Sequence, residues 1–230
     1  MALDQRSHGL SDRPPYGYSN RTLAADAAHA IDALGMGRVV VAGHSWGATV
    51  ALALAARRPD AGIGLAQLDG GIFSLSDLLT WEQAISMMHR PMPSWASLDD
   101  VIAQRAAELP GAWDNDLVPF ATAGVRQTPR GWRMTLGMSQ RRQVLRGMWA
   151  QRPELLWPLV RGPILAGLGG DAGQGPFLEV KRGGAARLQQ LMPGARVRWY
   201  DGPHDFPMYR PAEVADDLAA LAAEATEAAT

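Results

Sequence analysis

The chain has 230 residues, which is enough for one domain with a full core, and two independent domains are not expected. Its 22 Lys and Arg residues against 23 Asp and Glu give a formal net charge of −1 without a basic run, which argues against a nucleic-acid partner. The chain has no Cys, hence no disulfide and no thiolate nucleophile, and it has neither a leader-like start nor an apolar run of ~18 residues, so we expect a cytoplasmic protein without a membrane partner.

The first predicted elements are the end of a strand at residues 1–4, a loop, and a helix from Ser19 to about Leu34 in which apolar residues recur at helical spacing. A second strand is predicted at residues 39–41. Three consecutive valines without alternation are typical of a strand that is buried on both faces of a parallel sheet. The beginning of the chain therefore follows an α/β pattern.

A sharp turn follows this second strand. Residues 43–47 read Gly-His-Ser-Trp-Gly and fit the pattern G-x-S-x-G, in which the glycines let a strand and a helix pack closely while the serine Oγ is exposed on a strained turn. A long helix rich in Ala, Leu and Val comes next, and its positive dipole end points at Ser45. We therefore predict Ser45 as the nucleophile and the N–H of Trp46 as a donor to an oxyanion.

The next buried strand is predicted at residues 62–68 and ends in Asp69. Between residues 74 and 158 the composition changes to Trp, Met and Pro among short amphipathic runs, which predicts a helical insertion. Most of its tryptophans are expected in a core, and some are expected to line a pocket.

The sheet is predicted to resume at residues 162–168, a short apolar run followed by two glycines and Asp171. The alternating segment 195–200 predicts a strand near an edge, and it leads to a turn that contains His204. Lys181 is the one lysine of the chain, and we interpret the dominance of Arg as a coding bias. The predicted division is a core in two parts, residues 1–73 and 159–230, and a helical cap, residues 74–158.

Three polar residues follow apolar strands in the order Ser45, Asp171, His204. In a parallel sheet all three lie at the same carboxyl edge, where open α/β sheets place their sites. Catalysis by a serine nucleophile needs a base within hydrogen-bond reach and a carboxylate that fixes the tautomer of that base. Asp69 also ends a strand near the turn, and it remains the alternative acid.

With these motifs the chain resembles the α/β-hydrolase fold family over nearly its whole length. The resemblance implies a mostly parallel sheet with helices on both faces and a helical cap inserted before the strand of the acid. It also implies that Ser45 is the nucleophile, Asp171 the acid and His204 the general base, with the Trp46 N–H in the oxyanion hole.

The amino-terminal part departs from this resemblance. Residues 4–12 are similar to the family's D-x-R-G-x-G-x-S-D loop, but Ser7 stands where Gly is usual. The family's upstream strands, and the His-Gly loop that supplies a second oxyanion donor worth ~3 kcal/mol, have no counterpart before residue 4. Either the chain is a fragment, or its sheet is rearranged or completed by a partner. The strand at residues 39–41 should then have an exposed edge, which predicts aggregation or a homodimer.

The resemblance implies a serine hydrolase that cleaves a carboxylic ester, thioester or lactone through an acyl-enzyme intermediate, without a cofactor. Family members that open epoxides or remove halides use Asp at the position of Ser45. No H-E-x-x-H or comparable ligand spacing occurs, so no metal is predicted. Two alternatives stay open: a catalytically impaired binding module, and a non-hydrolytic member of the same fold. The substrate is expected to be a small molecule with an apolar portion, held by some of Trp46, Trp81, Trp95, Trp113 and Trp149.

Overall fold

The fold, given by a computed structural model, is described for residues 1–60, 62–170 and 176–227. The chain divides into two compact units. We call residues 20–78 with 148–230 the sheet unit, and residues 1–19 with 79–147 the insertion unit.

The described residues form seven strands, ten α-helices and three short 3₁₀ turns. The strands are β1 (Val39–His44), β2 (Gly62–Leu68), β3 (Ser94–Trp95), β4 (Val125–Thr128), β5 (Gly131–Met134), β6 (Ile164–Gly169) and β7 (Arg196–Tyr200). The helices are α1 (Asn20–Ala33), α2 (Trp46–Arg57), α3 (Trp81–Met88), α4 (Leu98–Glu108), α5 (Val118–Ala123), α6 (Met138–Ala150), α7 (Pro153–Leu156), α8 (Pro176–Leu191), α9 (Phe206–Tyr209) and α10 (Pro211–Glu227). None of these helices is long and apolar enough to cross a bilayer.

The sheet unit is built on four parallel strands in the order β1-β2-β6-β7. Among the described residues β1 pairs only with β2, so it forms an edge of the sheet, as the sequence predicts. Its valines are half-buried rather than fully buried, because an edge strand has a neighbour on one side only. All four strands end at the same edge of the sheet, which brings the residues that follow them together.

Helices cover both faces of this sheet, as parallel sheets require. On one face, Leu52 of α2 and Leu188 of α8 pack in one cluster with Leu65 of β2, and all three side chains are fully buried. On the other face, Leu221 of α10 packs against Leu165 of β6. Burying each such side chain contributes ~1.5–3 kcal/mol, so this core fixes the strand ends on which the site depends.

The segment after the insertion belongs to the sheet unit, which corrects the predicted boundary at residue 158. Trp157 is 1% exposed and packs in the core cluster that contains Leu52. Its indole Nε1–H donates to the buried side-chain oxygen of Gln67 on β2 at 2.8 Å. A tryptophan whose N–H finds a partner can be buried without an unsatisfied donor.

The insertion unit contains a three-stranded antiparallel sheet in the order β3-β5-β4 besides its helices. This sheet differs from the predicted purely helical insertion, because a two-residue strand and two four-residue strands leave little periodicity in the sequence. Gly131 makes the turn between β4 and β5 with φ of +90°, and a Cβ there would lie 2.3 Å from the carbonyl oxygen of Trp95. This close approach requires glycine.

The first residues of the chain form no strand, so the prediction of a strand at residues 1–4 is wrong. Residues 1–19 group with the insertion unit, where the N–H of Gly9 donates to the carbonyl of Ala123 at 3.0 Å. Ser7, which stands at a family glycine position, adopts a positive φ of 64°, and its Oγ lies 2.6 Å from the Tyr18 hydroxyl. The buried hydroxyl pair holds a backbone conformation that would otherwise favour glycine.

The exposed edge of β1 predicts self-association. Ala42 lies exposed in the middle of this strand, and a charge on an edge strand opposes pairing with a second strand. We expect the purified chain to show dimers or larger species by light scattering, and Ala42→Lys to shift it towards monomer. Ala33→Lys, the same change at an exposed position of α1, is the control and should leave the distribution unchanged. A monomer at every concentration, or an equal effect of both variants, would contradict this prediction.

Candidate active site

Ser45 lies on the turn between β1 and α2 in a strained conformation, with φ of 54° and ψ of −120°. Such a conformation costs ~1–3 kcal/mol for a residue other than glycine and persists only when its surroundings impose it. Here the Ser45 N–H donates to the carbonyl of Leu68 at 2.8 Å, which ties the turn to the end of β2.

The two glycines of the motif have different roles. A Cβ at Gly43 would lie 2.2 Å from the carbonyl oxygen of Gly47, so the close contact of strand and helix requires the first glycine. A Cβ at Gly47 would meet nothing within 4 Å, so the expected packing role of the second glycine is not found. A third glycine is needed instead: a Cβ at Gly70 would lie 2.1 Å from the backbone oxygen of Ser45.

Three side chains form one continuous hydrogen-bonded row at the carboxyl edge of the sheet. Ser45 Oγ lies 2.8 Å from Nε2 of His204, and Nδ1 of His204 lies 2.6 Å from Oδ2 of Asp69. The Asp69 side chain is fully buried, whereas the His204 side chain is 51% exposed. With the proton on Nδ1 donated to the carboxylate, Nε2 is left to accept the proton of the serine hydroxyl.

The carboxylate that meets His204 is Asp69, which the sequence analysis gave as the alternative. Asp171, the preferred acid in that analysis, lies outside the described residues. Because one imidazole N–H donates one strong hydrogen bond, and Asp69 accepts it at 2.6 Å, we revise the acid of this site to Asp69. Both aspartates follow parallel strands that end at the same edge, and the sequence alone does not say which strand end faces His204.

Asp69 accepts hydrogen bonds from three directions. Besides His204 on Oδ2, its Oδ1 accepts from Lys181 Nζ at 2.8 Å and from the N–H of Gly169 at 2.8 Å. Burial raises the pKa of Asp69, but the hydrogen bonds from His204, Lys181 and Gly169 outweigh burial and hold the pKa below its ordinary value. The carboxylate is therefore ionised at neutral pH. No local pattern in the sequence predicts this role of Lys181; the one signal is that it is the single lysine of an arginine-rich chain.

A second histidine, His44, holds the backbone of His204 in place. His44 Nε2 donates to the backbone carbonyl of His204 at 2.8 Å, and the two rings lie 4.9 Å apart. Burial lowers the pKa of His44, which the contact with that carbonyl opposes in part, so His44 is neutral at neutral pH. His44, which stands at the first variable position of the G-x-S-x-G pattern, thus holds the backbone that carries His204.

His44, His204 and Asp205 present ligand-type atoms within 4.8 Å of one another, a grouping that could hold a metal ion. However, these nitrogens already make hydrogen bonds within the protein. His44 Nε2 donates to the carbonyl of His204, and the two ring nitrogens of His204 bond to Asp69 and Ser45. A metal would have to displace the contacts that hold the hydrogen-bonded row of Ser45, His204 and Asp69 together, so these residues do not form a separate metal site.

The loop that carries His204 is anchored on both sides. A Cβ at Gly169 would lie 2.5 Å from the carbonyl oxygen of Pro203, so the end of β6 and the loop touch backbone to backbone. Phe206, which is fully buried, stacks on Tyr200 with ring centroids 4.3 Å apart. The histidine is therefore presented from a fixed segment.

The five tryptophans predicted for a substrate pocket lie in different surroundings. Trp95 is in the core of the insertion unit, 8% exposed, and donates Nε1–H to Gln104 at 2.7 Å, which removes it from the predicted pocket. The guanidinium of Arg146 lies over the indole of Trp81, with Cζ 4.8 Å from the centroid of the Trp81 ring. Trp46, Trp113 and Trp149 are half-buried. For the four besides Trp95 the pocket stays a prediction.

Comparison with known proteins identifies the family of the chain. Residues 1–217 match the alpha/beta hydrolase family, and the chain therefore belongs to this family. A segment of 60 residues is 45% identical to 2-(acetamidomethylene)succinate hydrolase of Mesorhizobium japonicum, and one of 62 residues is 37% identical to Epoxide hydrolase 1 of Caenorhabditis elegans. Each segment is 26% of this chain, and the segments span only 22% and 15% of those relatives.

Solved structures show the same fold over most of the chain. The crystal structure of E-2-(acetamidomethylene)succinate hydrolase has a TM-score of 0.75 at 23% identity and covers 94% of this chain and 78% of its own. The thioesterase domain from the curacin biosynthetic pathway has a TM-score of 0.68 at 18% identity, covering 92% and 78%. The enol-lactonase from Burkholderia xenovorans has a TM-score of 0.63 at 19% identity, covering 96% and 79%. At these identities the likeness shows the α/β-hydrolase fold.

The assignment of Asp69 predicts a difference between two matched variants. Asp69→Asn removes the carboxylate that fixes the His204 tautomer and should lower kcat for a short p-nitrophenyl ester by about 10³–10⁴-fold. Asp171→Asn should keep kcat near that of the parent chain. A large loss in Asp171→Asn together with an active Asp69→Asn would return the acid to Asp171.

Proposed function

We propose that the protein is a serine hydrolase that cleaves a carboxylic ester, thioester or lactone through an acyl-enzyme intermediate. The observation that carries this proposal is the hydrogen-bonded row from Ser45 through His204 to a buried, ionised Asp69, at 2.8 and 2.6 Å. This is the nucleophile, base and acid arrangement that activates a serine hydroxyl.

In the first half of the proposed reaction, Ser45 Oγ attacks the carbonyl carbon of the substrate and its proton moves to Nε2 of His204. Asp69 stabilises the imidazolium that forms and keeps its orientation. The oxyanion lies at the amino-terminal end of α2, where the helix dipole and the N–H of Trp46 stabilise negative charge. The alcohol or thiol then leaves with the proton from Nε2, and the acyl group remains on Ser45.

In the second half, His204 takes a proton from water as the water attacks the acyl carbon. The collapse of the second tetrahedral intermediate returns that proton to Ser45 Oγ and releases the carboxylic acid. The His204 side chain is 51% exposed, which gives water access to it. No group besides the substrate and water is needed for this cycle.

The choice of carbonyl substrates rests on the nucleophile and on the relatives. Attack by a serine forms an ester that water hydrolyses at its carbonyl carbon, whereas the epoxide-opening members that the chain resembles use Asp there. The solved relatives include a thioesterase domain and an enol-lactonase, whose names describe carbonyl hydrolysis. Within this class, the predicted tryptophan pocket would select the alcohol and acyl parts of the substrate, and it favours apolar groups.

A binding module with impaired catalysis is the second candidate. The oxyanion site favours this candidate, because Trp46 is the one oxyanion donor assigned among the described residues. An oxyanion hole with one donor fewer reacts about 10²–10³-fold more slowly. A slow but Ser45-dependent hydrolysis supports the hydrolase, whereas no reaction of Ser45 with a fluorophosphonate probe supports the binding module.

The proposed function predicts that Ser45→Ala and His204→Ala each remove most of the hydrolysis of a p-nitrophenyl ester, and that the double variant is no worse than either single one. The members of such a row act as a unit, so their losses do not add. Ser139→Ala and His29→Ala, at exposed positions outside the row, are the matched controls. Wild-type rates in both Ser45→Ala and His204→Ala would rule out the proposed function.

A further inference from the structure

Lys181 is the only lysine of the chain, and it is buried beside the acid of the candidate site. It lies on α8, its side chain is 8% exposed, and its Nζ lies 2.8 Å from Oδ1 of Asp69, whose side chain is fully buried. The same Nζ donates to the carbonyl of Gly169 at 3.1 Å. A flexible, strongly hydrated ammonium group is seldom placed in such surroundings without a partner that needs its charge.

We propose that Lys181 is a positioning residue that holds Asp69 ionised and fixed, and that it sets the pH at which His204 becomes available as a base. This inference rests on the proposed function, because it concerns how the base of that reaction is tuned.

The two oxygens of Asp69 have separate partners. Oδ1 accepts from Lys181 and from the N–H of Gly169, whereas Oδ2 accepts from His204. Rotation of the carboxylate would break the contacts of Oδ1 as well as that of Oδ2. Lys181 thus fixes the direction in which Oδ2 faces the imidazole, although it does not touch Ser45 or the reacting atoms in the described contacts.

The charge of Lys181 acts on His204 through Asp69. If the imidazole were the only partner of the buried carboxylate, the negative charge would strongly favour protonation of the imidazole. The imidazolium would then be the nearest positive charge to the carboxylate. The ammonium supplies that compensation from the other oxygen. His204 is therefore less readily protonated and acts as a base from a lower pH than with Asp69 alone.

Other titratable groups face this pair from the neighbouring elements. His44 on β1 is neutral, since burial lowers its pKa. Asp205, next to His204, has a side chain that is 51% exposed, so solvent screens its charge. Arg182 follows Lys181 on α8, but its side chain is 59% exposed and pairs with Glu179 at 2.8 Å. Lys181 is the cation in direct contact with Asp69 among the described residues.

Three variants separate the charge of Lys181 from its hydrogen bond. Lys181→Met removes both, Lys181→Gln keeps a donor without a charge, and Lys181→Arg keeps the charge. Arg182→Gln removes a positive charge one position away on the same helix and is the matched control. For each, the His204 ring is titrated by proton NMR, with assignment by comparison with His204→Gln, and kcat/KM for a p-nitrophenyl ester is measured from pH 5 to 9.

Removing the positive charge favours the imidazolium, so the titration midpoint of His204 should rise by about one pH unit in the Met and Gln variants. The ascending limb of kcat/KM should move to higher pH by the same amount. Lys181→Arg and Arg182→Gln should stay within about 0.3 pH unit of the parent chain.

A midpoint in Lys181→Gln that equals the parent value, or an equal rise in Arg182→Gln, would overturn the inference. A purely structural lysine would lower the temperature of unfolding without moving the midpoint. If Lys181→Met does not fold, the comparison of the Gln and Arg variants decides. The NMR titration needs no turnover, so the two proposals fail separately. A chain that shows the shift but does not hydrolyse esters would contradict the proposed function and leave only the charge coupling of Lys181 to His204 through Asp69.

Discussion

The buried carboxylate of Asp69 is the contact on which the rest of the site depends. It joins β2, the end of β6, α8 and the loop after β7 through its bonds to Gly169, Lys181 and His204. A buried charge is tolerated only when it is paired and fully hydrogen-bonded, so each of these partners is fixed by the need to satisfy the carboxylate. The parallel sheet makes this arrangement possible, because all of its strands end at the same edge.

Two of the three non-glycine residues with positive φ in the described part of the chain lie at the same place. Ser45 and Asp69 both have positive φ, 54° and 46°, although neither is a glycine. Conformations of this kind cost ~1–3 kcal/mol each and must be imposed by well-packed surroundings. The surroundings are the leucine core of α2, β2 and β6 and the backbone contact between Gly70 and Ser45. The packing of the sheet thus places Ser45 and Asp69 within hydrogen-bond distance of the same histidine.

The depressed pKa of Asp69 also links the site to the stability of the fold. Because its folded-state pKa lies below the ordinary carboxyl value of 3.8, the ionised Asp69 contributes stability above that value, and this contribution is lost as the pH falls through the folded-state pKa. Acid should therefore weaken the hydrogen-bonded row of Ser45, His204 and Asp69 and lower the stability of the fold together.

The sequence was informative where a local pattern defines the geometry. The apolar strand, turn and helix around Ser45 identified the turn that carries the serine, and His204 was found because it follows a predicted strand through a Gly-Pro turn. Asp69 and Asp171 could not be separated, since the choice between them depends on which strand end lies beside the His204 loop. Lys181 was missed because its role comes from a tertiary contact. The small sheet of the insertion unit was missed because its strands are too short to show a period of two.

The central claim is that Asp69 holds the Nδ1 proton of His204, and proton NMR in water tests it most directly. A strong hydrogen bond from an imidazole to a buried carboxylate shifts the Nδ1 proton downfield of the backbone amides and slows its exchange with water. The structure predicts one such resonance, lost in Asp69→Asn and His204→Gln but retained in Ser45→Ala. A downfield resonance that persists in Asp69→Asn would show that another group orients His204 and would contradict the account.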